Sequence, residues 1–438
     1  MWQKQAVEAG IAAIRRTSES ELRARDHLYF SYNAGISACE KGREWQQALA
    51  LLGEMREADL QPNVISYNTG LSACAKGGEW RLALSLLGDM REVNLRPDVI
   101  SYSSGVTACV KEEQWQLALS LLSEGRAVTA GMDVICYSAG ISACEKGGQW
   151  QHALSVLGEL QLARLRPDVI AFAAGVSSCE KGGQWCHALS LLREMREAQL
   201  KPDAISYNAA ISACEKGENW EHAMSLMSEM WESRIRRDDT SYGAAISACG
   251  KCREWQRALM LLSDMQEAQM EPSVICYNAG ISSCEKGLEW QQALSLLRMI
   301  AQADLQPNVI FSYSAGVSAC YKGREWQQAL CLFSEARAAS LSPDVPMFNA
   351  AISACAGVGH WQQSLSLLRE FWTVRLQPDA ISYNAGASAC LGGQWRQALT
   401  LLREMQEVKL EPSIISSATT LRLPLARKVG IGGERCRC

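Results

Sequence analysis

The sequence predicts an all-α protein, a superhelical α-solenoid of about eleven helix-turn-helix repeats. The first observation is a fixed spacing of tryptophan, and the second is a pair of helical patterns within each spacing. Eleven of the 14 tryptophans recur every 34 to 36 residues, at Trp45, Trp80, Trp115, Trp150, Trp185, Trp220, Trp255, Trp290, Trp326, Trp361 and Trp395. A period of this length is typical of repeat architectures. The chain is therefore predicted to be one elongated array rather than three ordinary domains.

Each repeat is predicted to be a helical hairpin, as residues 64–98 illustrate. Apolar residues at helical spacing predict a first helix over residues 64–76 and a second over residues 80–93, with two glycines between them. Pro97 lacks a backbone N–H and disfavours a helical residue before it, so the second helix must end ahead of it. Such a hairpin cannot bury its own apolar face. Stacking on neighbouring repeats is predicted to stabilise it.

The period divides the chain into three parts. Residues 1–28 are predicted to be a partial repeat or cap, and residues 414–438 a basic tail or frayed cap. Between them, residues 29–413 form eleven repeats. The repeats start at residues 29, 64, 99, 134, 169, 204, 239, 274, 309, 345 and 380. The ninth has one extra residue, and the eleventh is one residue short.

Composition and motifs exclude several classes of protein. Apolar residues make up 48% and charged residues 21% of the chain, which is unlike a disordered protein. A membrane span needs roughly 18 uninterrupted apolar residues, and none is present, so no membrane association is expected. The net charge of −4 gives no global basic field. No catalytic motif is found, so the protein is not expected to be an enzyme or to need a cofactor.

Cysteine and histidine follow the same period. Eleven of the 18 cysteines form one column on the apolar face of the first helix. Stacked neighbours about 8–10 Å apart are too distant for disulfides, which need Cα atoms within roughly 7 Å, so buried free thiols are predicted. Cys249 and Cys252 have metal-site spacing but lack a second pair, and no metal is expected. His152, His187 and His222 are predicted to be surface residues.

A polar stripe runs beside the apolar one on each first helix. An Asn/Ser column follows the tyrosine, and a Ser/Thr column lies one turn later. After a further turn comes a lysine column, a candidate set of phosphate contacts: Lys41, Lys76, Lys111, Lys146, Lys181, Lys216, Lys251, Lys286 and Lys322. Regularly spaced cations suit a polyanion. The alternative is a solvated face whose lysines interact favourably with the helix dipole.

The unit V-I-S-Y-N-x-G-I-S-A-C-x-K-G-x-x-W-x-x-A-L-x-L-L-x-E-M-x-x-x-x-L-x-P-D resembles the pentatricopeptide repeat over residues 29–413. The resemblance implies a right-handed superhelix whose first helices line the inner surface and bind single-stranded RNA, one base per repeat. An aliphatic residue ahead of the tyrosine resembles the family's wedge between bases. These residues are Ile65, Ile100, Ile135, Ile170, Ile205 and Ile275.

In that family, the residue after the tyrosine and the last residue of the repeat choose the base. By this analogy uracil is expected at Asn68/Asp98, Asn208/Asp238 and Asn349/Asp379. Cytosine is expected at Asn33/Asn63 and Asn278/Asn308, and guanine at Ser103/Asp133, Ser138/Asp168 and Ser314/Asp344. Asn384 belongs to the same column, but its pair with Ser413 specifies no base. The expected target is 5′-CUGGNUNCGUN-3′.

The resemblance thus implies a sequence-selective RNA-binding protein that acts in organellar RNA processing, mRNA stability or translation without catalysis of its own. A chloroplast or mitochondrial location is expected, although residues 1–28 contain four acidic residues, unlike a clear transit peptide. The alternative is a helical-repeat scaffold with protein partners. A peptide groove would not need an Asn/Asp pair at every repeat.

Overall fold

Helical hairpins account for the regular secondary structure of the computed structural model, which describes residues 23–129, 131–302, 309–339, 341–390 and 394–407. These residues contain 22 helices in eleven pairs and no strand. Odd-numbered helices below are the first helices of repeats, and even-numbered helices are the second. The chain divides into two compact units, Met1–Gly217 with Glu232–Ile235, and Glu218–Trp231 with Arg236–Cys438.

The first unit contains helices α1 to α11. They are α1 (Arg23–Gly42), α2 (Trp45–Glu57), α3 (Val64–Gly77), α4 (Trp80–Glu92), α5 (Val99–Lys111), α6 (Trp115–Val128), α7 (Val134–Lys146), α8 (Trp150–Leu162), α9 (Val169–Lys181), α10 (Trp185–Glu197) and α11 (Ala204–Lys216). The hairpin predicted for residues 64–98 is confirmed to within a residue at each helix end. Helix α1 begins at Arg23, six residues ahead of the predicted start of the first repeat.

The second unit contains almost all of α12 (Trp220–Glu232) and the ten helices that follow. They are α13 (Asp239–Lys251), α14 (Trp255–Glu267), α15 (Val274–Gly287), α16 (Trp290–Gln302), α17 (Val309–Lys322), α18 (Trp326–Ala338), α19 (Val345–Val358), α20 (Trp361–Thr373), α21 (Ala380–Ala389) and α22 (Trp395–Glu407). No helix among the described residues is long and apolar enough to cross a bilayer.

The helices of each unit form two layers. In the first unit, every odd-numbered helix packs against the next odd-numbered helix and against the even-numbered helices beside it in sequence. The same pattern runs from α13 to α22 in the second unit. The even-numbered helices pack mainly on the odd-numbered ones. The all-α solenoid predicted from the period is thus confirmed, and the odd-numbered helices bring equivalent residues of successive repeats side by side.

The core between the layers is built from the repeated apolar columns. Tyr67, Cys74 and Met90 are fully buried, and equivalent residues are buried in the other repeats. Burial raises the pKa of the Cys144 thiol to about 11 and that of Cys320, aided by a nearby carboxylate, to about 12. The buried free thiols predicted for this column are therefore confirmed, and they are protonated at neutral pH.

The first-helix glycines allow the layers to approach closely. A Cβ atom on Gly105 would lie 3.0 Å from Leu87 Cδ1 and 3.4 Å from Leu121 Cδ1, on the second helices of two successive repeats. Such distances are at or below the normal packing limit, so any larger residue would push these helices apart. Alanine fills the same position at Ala210, Ala245 and Ala351, where it is fully buried.

Six tryptophans of the period pack on a glycine of the following repeat. The Trp45 ring covers Gly77 so closely that a Cβ there would lie 2.5 Å from Trp45 Cδ1. Equivalent contacts occur at Gly147, Gly182, Gly217, Gly287 and Gly323. His152 and His187 are exposed, as predicted, and their rings lie 5.2 and 5.4 Å from the tryptophan rings of the preceding repeats. Tryptophan therefore links repeats rather than only filling a core.

We expect the Gly77→Ala variant to lose about 1–3 kcal/mol of unfolding free energy, because the added methyl group displaces the Trp45 ring. Gly88 lies inside helix α4 with no atom within 4 Å of an added Cβ. The Gly88→Ala variant should therefore gain about 0.5–1 kcal/mol from helix propensity alone. Urea titration of both variants measures whether the unfolding free energy falls in Gly77→Ala and rises in Gly88→Ala. A gain in both would contradict the tryptophan–glycine contact.

Candidate nucleic-acid interface

The second residue of the first helix is apolar and exposed in most repeats. The exposed fraction is 64% for Ile65, 59% for Ile100 and 71% for Ile275, and Ile135, Ile170 and Ile205 lie within this range. These are the predicted wedge residues. Leaving such a side chain in water forgoes roughly 1.5–3 kcal/mol of burial. The row is therefore unlike a surface selected only for stability, and its apolar side chains are available to a flat apolar ligand.

Sequence reasoning missed three members of this row. Phe30, Phe311 and Ile381 occupy the same position, two residues before a tyrosine, and are 73%, 60% and 60% exposed. Two of them are aromatic rather than aliphatic, and Phe311 lies beside the insertion in the ninth repeat, which obscured its register. Spacing from the tyrosine would have identified all three.

In the nine repeats whose last residue the structure describes, that residue is the N-cap of the next first helix. Asp98, for example, has an extended backbone, and its Oδ1 accepts a hydrogen bond of 2.9 Å from the backbone N–H of Ser101. Asn63, Asp133, Asp168, Asp203, Asp238, Ser273, Asp344 and Asp379 cap their helices in the same way. Helix initiation thus fixes the second base-reading column. Asp, Asn or Ser ahead of a helical pattern is a recognised signal for this role.

Four predicted base-reading pairs are in direct contact. Asn68 Nδ2 donates to Asp98 Oδ1 and Oδ2 at 3.0 and 3.2 Å, and Asn349 donates to Asp379 at 3.1 and 3.2 Å. In the serine repeats, Ser138 Oγ lies 3.0 Å from Asp168 Oδ1. Ser314 Oγ lies 2.7 Å from Asp344 Oδ1. Side chains 30 positions apart in the sequence are therefore hydrogen-bonded neighbours in the structure.

The remaining pairs differ. Asn33 and Asn63 share a contact, because the Ser66 hydroxyl lies 2.7 and 3.1 Å from their Oδ1 atoms. Ser103 and Asp133 form no hydrogen bond with each other among the described contacts. Asn208 and Asp238 belong to different units. Asn308 lies outside the described residues, as does Ser413, the partner of Asn384.

The lysine column is exposed, but carboxylates of preceding repeats hold part of it. Lys76 Nζ lies 2.8 Å from Glu40 Oε1, and Lys216 Nζ lies 2.9 Å from Glu180 Oε1. Lys322 pairs with Glu285 at 2.9 Å and Lys181 with Glu145 at 3.9 Å. Sequence reasoning missed these acids, although a glutamate directly precedes the lysine in five repeats. Exposed pairs of this kind contribute only about 0–1 kcal/mol, so a polyanion can displace the carboxylate.

The carboxylates differ in their pKa values. Burial opposes ionisation of Glu40, but hydrogen bonds from Lys76 and from Ser72 Oγ at 2.7 Å outweigh it and lower the pKa. Burial raises the pKa of Glu145, and the more distant Lys181 only partly offsets that effect. Glu145 therefore binds a proton at higher pH than Glu40 does.

Other lysines of the column lie outside these ion pairs. Lys146 and Lys286 form none within the described parts of the chain. Lys111 Nζ donates to the carbonyl oxygen of Lys76. Lys111 also lines a groove with Lys41, Lys76 and Arg43, together with the hydroxyls of Ser72, Ser103, Ser104 and Thr107. This part of the first unit thus presents several cations beside polar side chains, an arrangement suited to phosphate oxygens.

Comparison with known proteins identifies the repeat. The pentatricopeptide repeat domain model matches residues 30–76, 50–112, 190–252 and 225–286. The repeats within these ranges match the pentatricopeptide repeat. No curated protein sequence matches the chain.

Solved structures with pentatricopeptide repeats share the fold. The crystal structure of the pentatricopeptide repeat protein PPR10 in complex with an 18-nt psaJ RNA element is 20% identical, with a TM-score of 0.66, covering 91% of this chain and 58% of that one. A cysteine-to-serine variant of PPR10 with the same RNA element gives the same values. PPR10 from maize is 20% identical with a TM-score of 0.48, covering 96% and 68%. The chain thus spans little more than half of the PPR10 chain in the complex.

The pentatricopeptide repeat pairs leave defined polar groups for a ligand. Asn68 and Asn349 are each only 9% exposed and lie between consecutive first helices. Asn68 has two amide hydrogens, and the Asp98 carboxylate occupies one direction, so the second hydrogen and the outer carboxylate lone pairs are left to a ligand. The site therefore presents an amide donor and a carboxylate acceptor next to each other, near an exposed isoleucine. No cluster of His, Cys, Asp or Glu able to hold a metal ion occurs among the described residues.

Proposed function

We propose that this pentatricopeptide repeat array, residues 29–413, binds single-stranded RNA along its odd-numbered helices, one base per repeat. Residues 1–28 and 414–438 flank this domain. The observation that carries the proposal is the contact between Asn68 and Asp98, repeated at Asn349 and Asp379, beside exposed apolar side chains. A base edge can form hydrogen bonds to the pair while its face packs on the wedge residue.

The lysines supply the electrostatic part of the proposal. Those outside the ion pairs attract phosphates directly, whereas the ion-paired ones must first be released from their carboxylates and therefore contribute less. The chain carries a net charge of −4, so the attraction must come from this face rather than from the protein as a whole. The proposed target by family analogy is 5′-CUGGNUNCGUN-3′. The RNA bound to PPR10 in its crystal structure is consistent with this class of ligand.

Selection from a pool of random short RNAs tests the proposal. We expect enrichment of uracil opposite the second, sixth and tenth repeats, read by Asn68, Asn208 and Asn349. The affinity should fall with salt, and the log–log slope should be shallower than about −6, the value for nine lysines at about −0.7 each, because four are ion-paired. A flat salt response without an enriched motif would contradict RNA binding and favour the protein scaffold.

We further propose that binding, without catalysis, is how the protein acts in organellar RNA processing, stability or translation. The family resemblance supports a chloroplast or mitochondrial site of action. Crosslinking the tagged protein to RNA in intact cells, followed by sequencing, identifies the transcript. Recovery of nuclear or cytosolic transcripts alone would contradict the organellar role.

A further inference from the structure

A buried serine contacts the base-reading amide of the preceding repeat. Ser101 Oγ lies 2.6 Å from Asn68 Oδ1, and Ser66 Oγ lies 2.7 Å from Asn33 Oδ1. Ser312 makes the same contact with Asn278, and Ser382 with Asn349. All four serines have an exposed fraction of 0%. Each serine directly precedes the tyrosine of its first helix, which is the third position of a regular repeat. This position is outside the predicted base-reading columns.

The hydrogen-bond partners fix the direction of the Asn68 amide. A carboxylate only accepts, so the side of the amide that faces Asp98 must be the donor Nδ2. The backbone N–H of Asp98 donates to Ser101 Oγ at 3.1 Å, which leaves the hydroxyl proton of Ser101 for an acceptor. The Asn68 oxygen, at 2.6 Å, is closer than the Asp98 oxygen at 2.9 Å. The serine therefore holds the amide oxygen inward and the nitrogen towards the carboxylate.

Five asparagines of the predicted base-reading column are each followed, in the next repeat, by this serine. Asn33, Asn68, Asn208, Asn278 and Asn349 are followed at this position by Ser66, Ser101, Ser241, Ser312 and Ser382. The residues that follow Ser103, Ser138 and Ser314 are Cys136, Ala171 and Met347, none of which has a hydroxyl. In two of those repeats the shorter Ser138 and Ser314 side chains reach the carboxylate by themselves. All five of these asparagines are thus followed by the hydroxyl, and Ser206, which follows Ala173, shows that the serine also occurs without an amide partner.

We propose that the third residue of the following repeat is a positioning residue for base choice. Its hydroxyl fixes the asparagine amide in one of its two flipped orientations, so the pair presents a single pattern of donor and acceptor to the base. Loss of the hydroxyl would remove one of the two contacts that hold this orientation, leaving only the Asp98 carboxylate, so the amide would rotate more readily. This inference rests on the proposed RNA-binding function and adds a residue to the base-reading set.

The chain provides a matched control. Ser206 caps its helix with Asp203 much as Ser101 does with Asp98, with Oγ–Oδ1 distances of 2.7 and 2.9 Å and N–Oδ1 distances of 2.9 Å in both. Ser206 follows Ala173, however, and so has no amide to orient. Both substitutions remove the serine contact with the capping aspartate. Ser101→Ala also removes the hydrogen bond from the Asp98 backbone N–H and the contact with the Asn68 amide oxygen.

The test measures base selection with RNAs that differ only at the nucleotide opposite the second repeat. We expect Ser101→Ala to reduce the preference for uracil over the other bases there at least fivefold and to leave the other positions unchanged. The Ser206→Ala variant should retain the parent preferences throughout. Unchanged selection by Ser101→Ala, or an equal loss in both variants, would overturn the positioning role. Thermal unfolding of both variants verifies that they are folded.

A measurement without RNA separates this inference from the proposed function. In NMR spectra, the Asn68 side-chain NH2 should exchange slowly with solvent in the parent and in Ser206→Ala, and faster in Ser101→Ala. If the parent selects no base, the proposed function fails, and slow exchange in Ser101→Ala would also overturn the orientation by serine. If base selection is present and the exchange rate does not change, the orientation by serine is wrong while RNA binding stands.

Discussion

The triple variant Glu145→Gln, Glu180→Gln, Glu285→Gln is expected to bind RNA more tightly than the parent, by about tenfold to 100-fold at 0.1 M salt. Each substitution releases a lysine, Lys181, Lys216 or Lys322, from its ion pair. A lysine that gains a phosphate contact contributes about 0.7 to the log–log salt slope. Three such contacts therefore add about 2 to the slope. Filter binding over a range of salt concentrations measures both quantities.

A matched charge change on the other layer provides the control. Glu57, Glu92 and Glu197 lie on or at the ends of second helices, are exposed, and can be changed to glutamine with the same change in net charge. This triple variant should change the affinity less than threefold, because exposed charges farther than about 10 Å from the RNA are screened. Equal gains from both triple variants would show a general charge effect and would contradict the role of the ion pairs.

The pKa values of these carboxylates predict that the RNA affinity also depends on pH. Glu145 has a raised pKa, so its carboxylate is neutralised first as the pH falls from neutral, and Lys181 is released. Glu40 has a lowered pKa and stays ionised over the same range. RNA affinity should therefore rise on mild acidification in the parent, and this rise should be smaller in the Glu145→Gln variant.

The Asp98→Asn variant is expected to change the preferred base opposite the second repeat from uracil to cytosine, by about 1–3 kcal/mol of discrimination in total, or roughly fivefold to 150-fold. By family analogy an Asn/Asp pair prefers uracil and an Asn/Asn pair prefers cytosine. Asparagine keeps the helix cap, because Asn63 already caps α3 through Oδ1 at 3.0 Å from Ser66 N. Competition binding with two RNAs that differ at one nucleotide measures the switch.

Asp203→Asn is the control for this switch. Asp203 caps α11 as Asp98 caps α5, but its repeat carries Ala173 in place of the asparagine. We expect the Asp203→Asn variant to fold normally and to leave base preference unaltered at every repeat. A shift of equal size in both variants, or intact binding by Asp98→Asn with no change of base, would contradict base reading by this pair.

Sequence periodicity predicted the fold almost completely. The tryptophan spacing and the helical patterns of residues 64–98 placed both helices of that repeat to within a residue. Local interactions explain this success, because a helical stripe and a proline after the second helix act over a few residues.

The site was predicted by residue type but not by its contacts. Asn68 and Asp98 were predicted as a pair, whereas the Ser101 hydroxyl that contacts the Asn68 amide oxygen and the Glu40 carboxylate that pairs with Lys76 were not. These partners lie 33 and 36 residues away, Ser101 in the following repeat and Glu40 in the preceding one, and become neighbours only when the first helices stack. Relative helix rotation decides such contacts, and a single-repeat pattern does not contain it. Position-by-position comparison of neighbouring repeats would have suggested both.

Photo-crosslinking tests most directly whether the first-helix face binds RNA. The protein would be irradiated with a 4-thiouridine-containing RNA of the expected sequence, and the adducts mapped by mass spectrometry. We predict adducts on the odd-numbered helices, around Ile65 and Ile100, and on the lysines of the groove beside Lys111. Adducts confined to the even-numbered helices, for example at the exposed Trp231 or Trp372, would contradict RNA binding by the first helices.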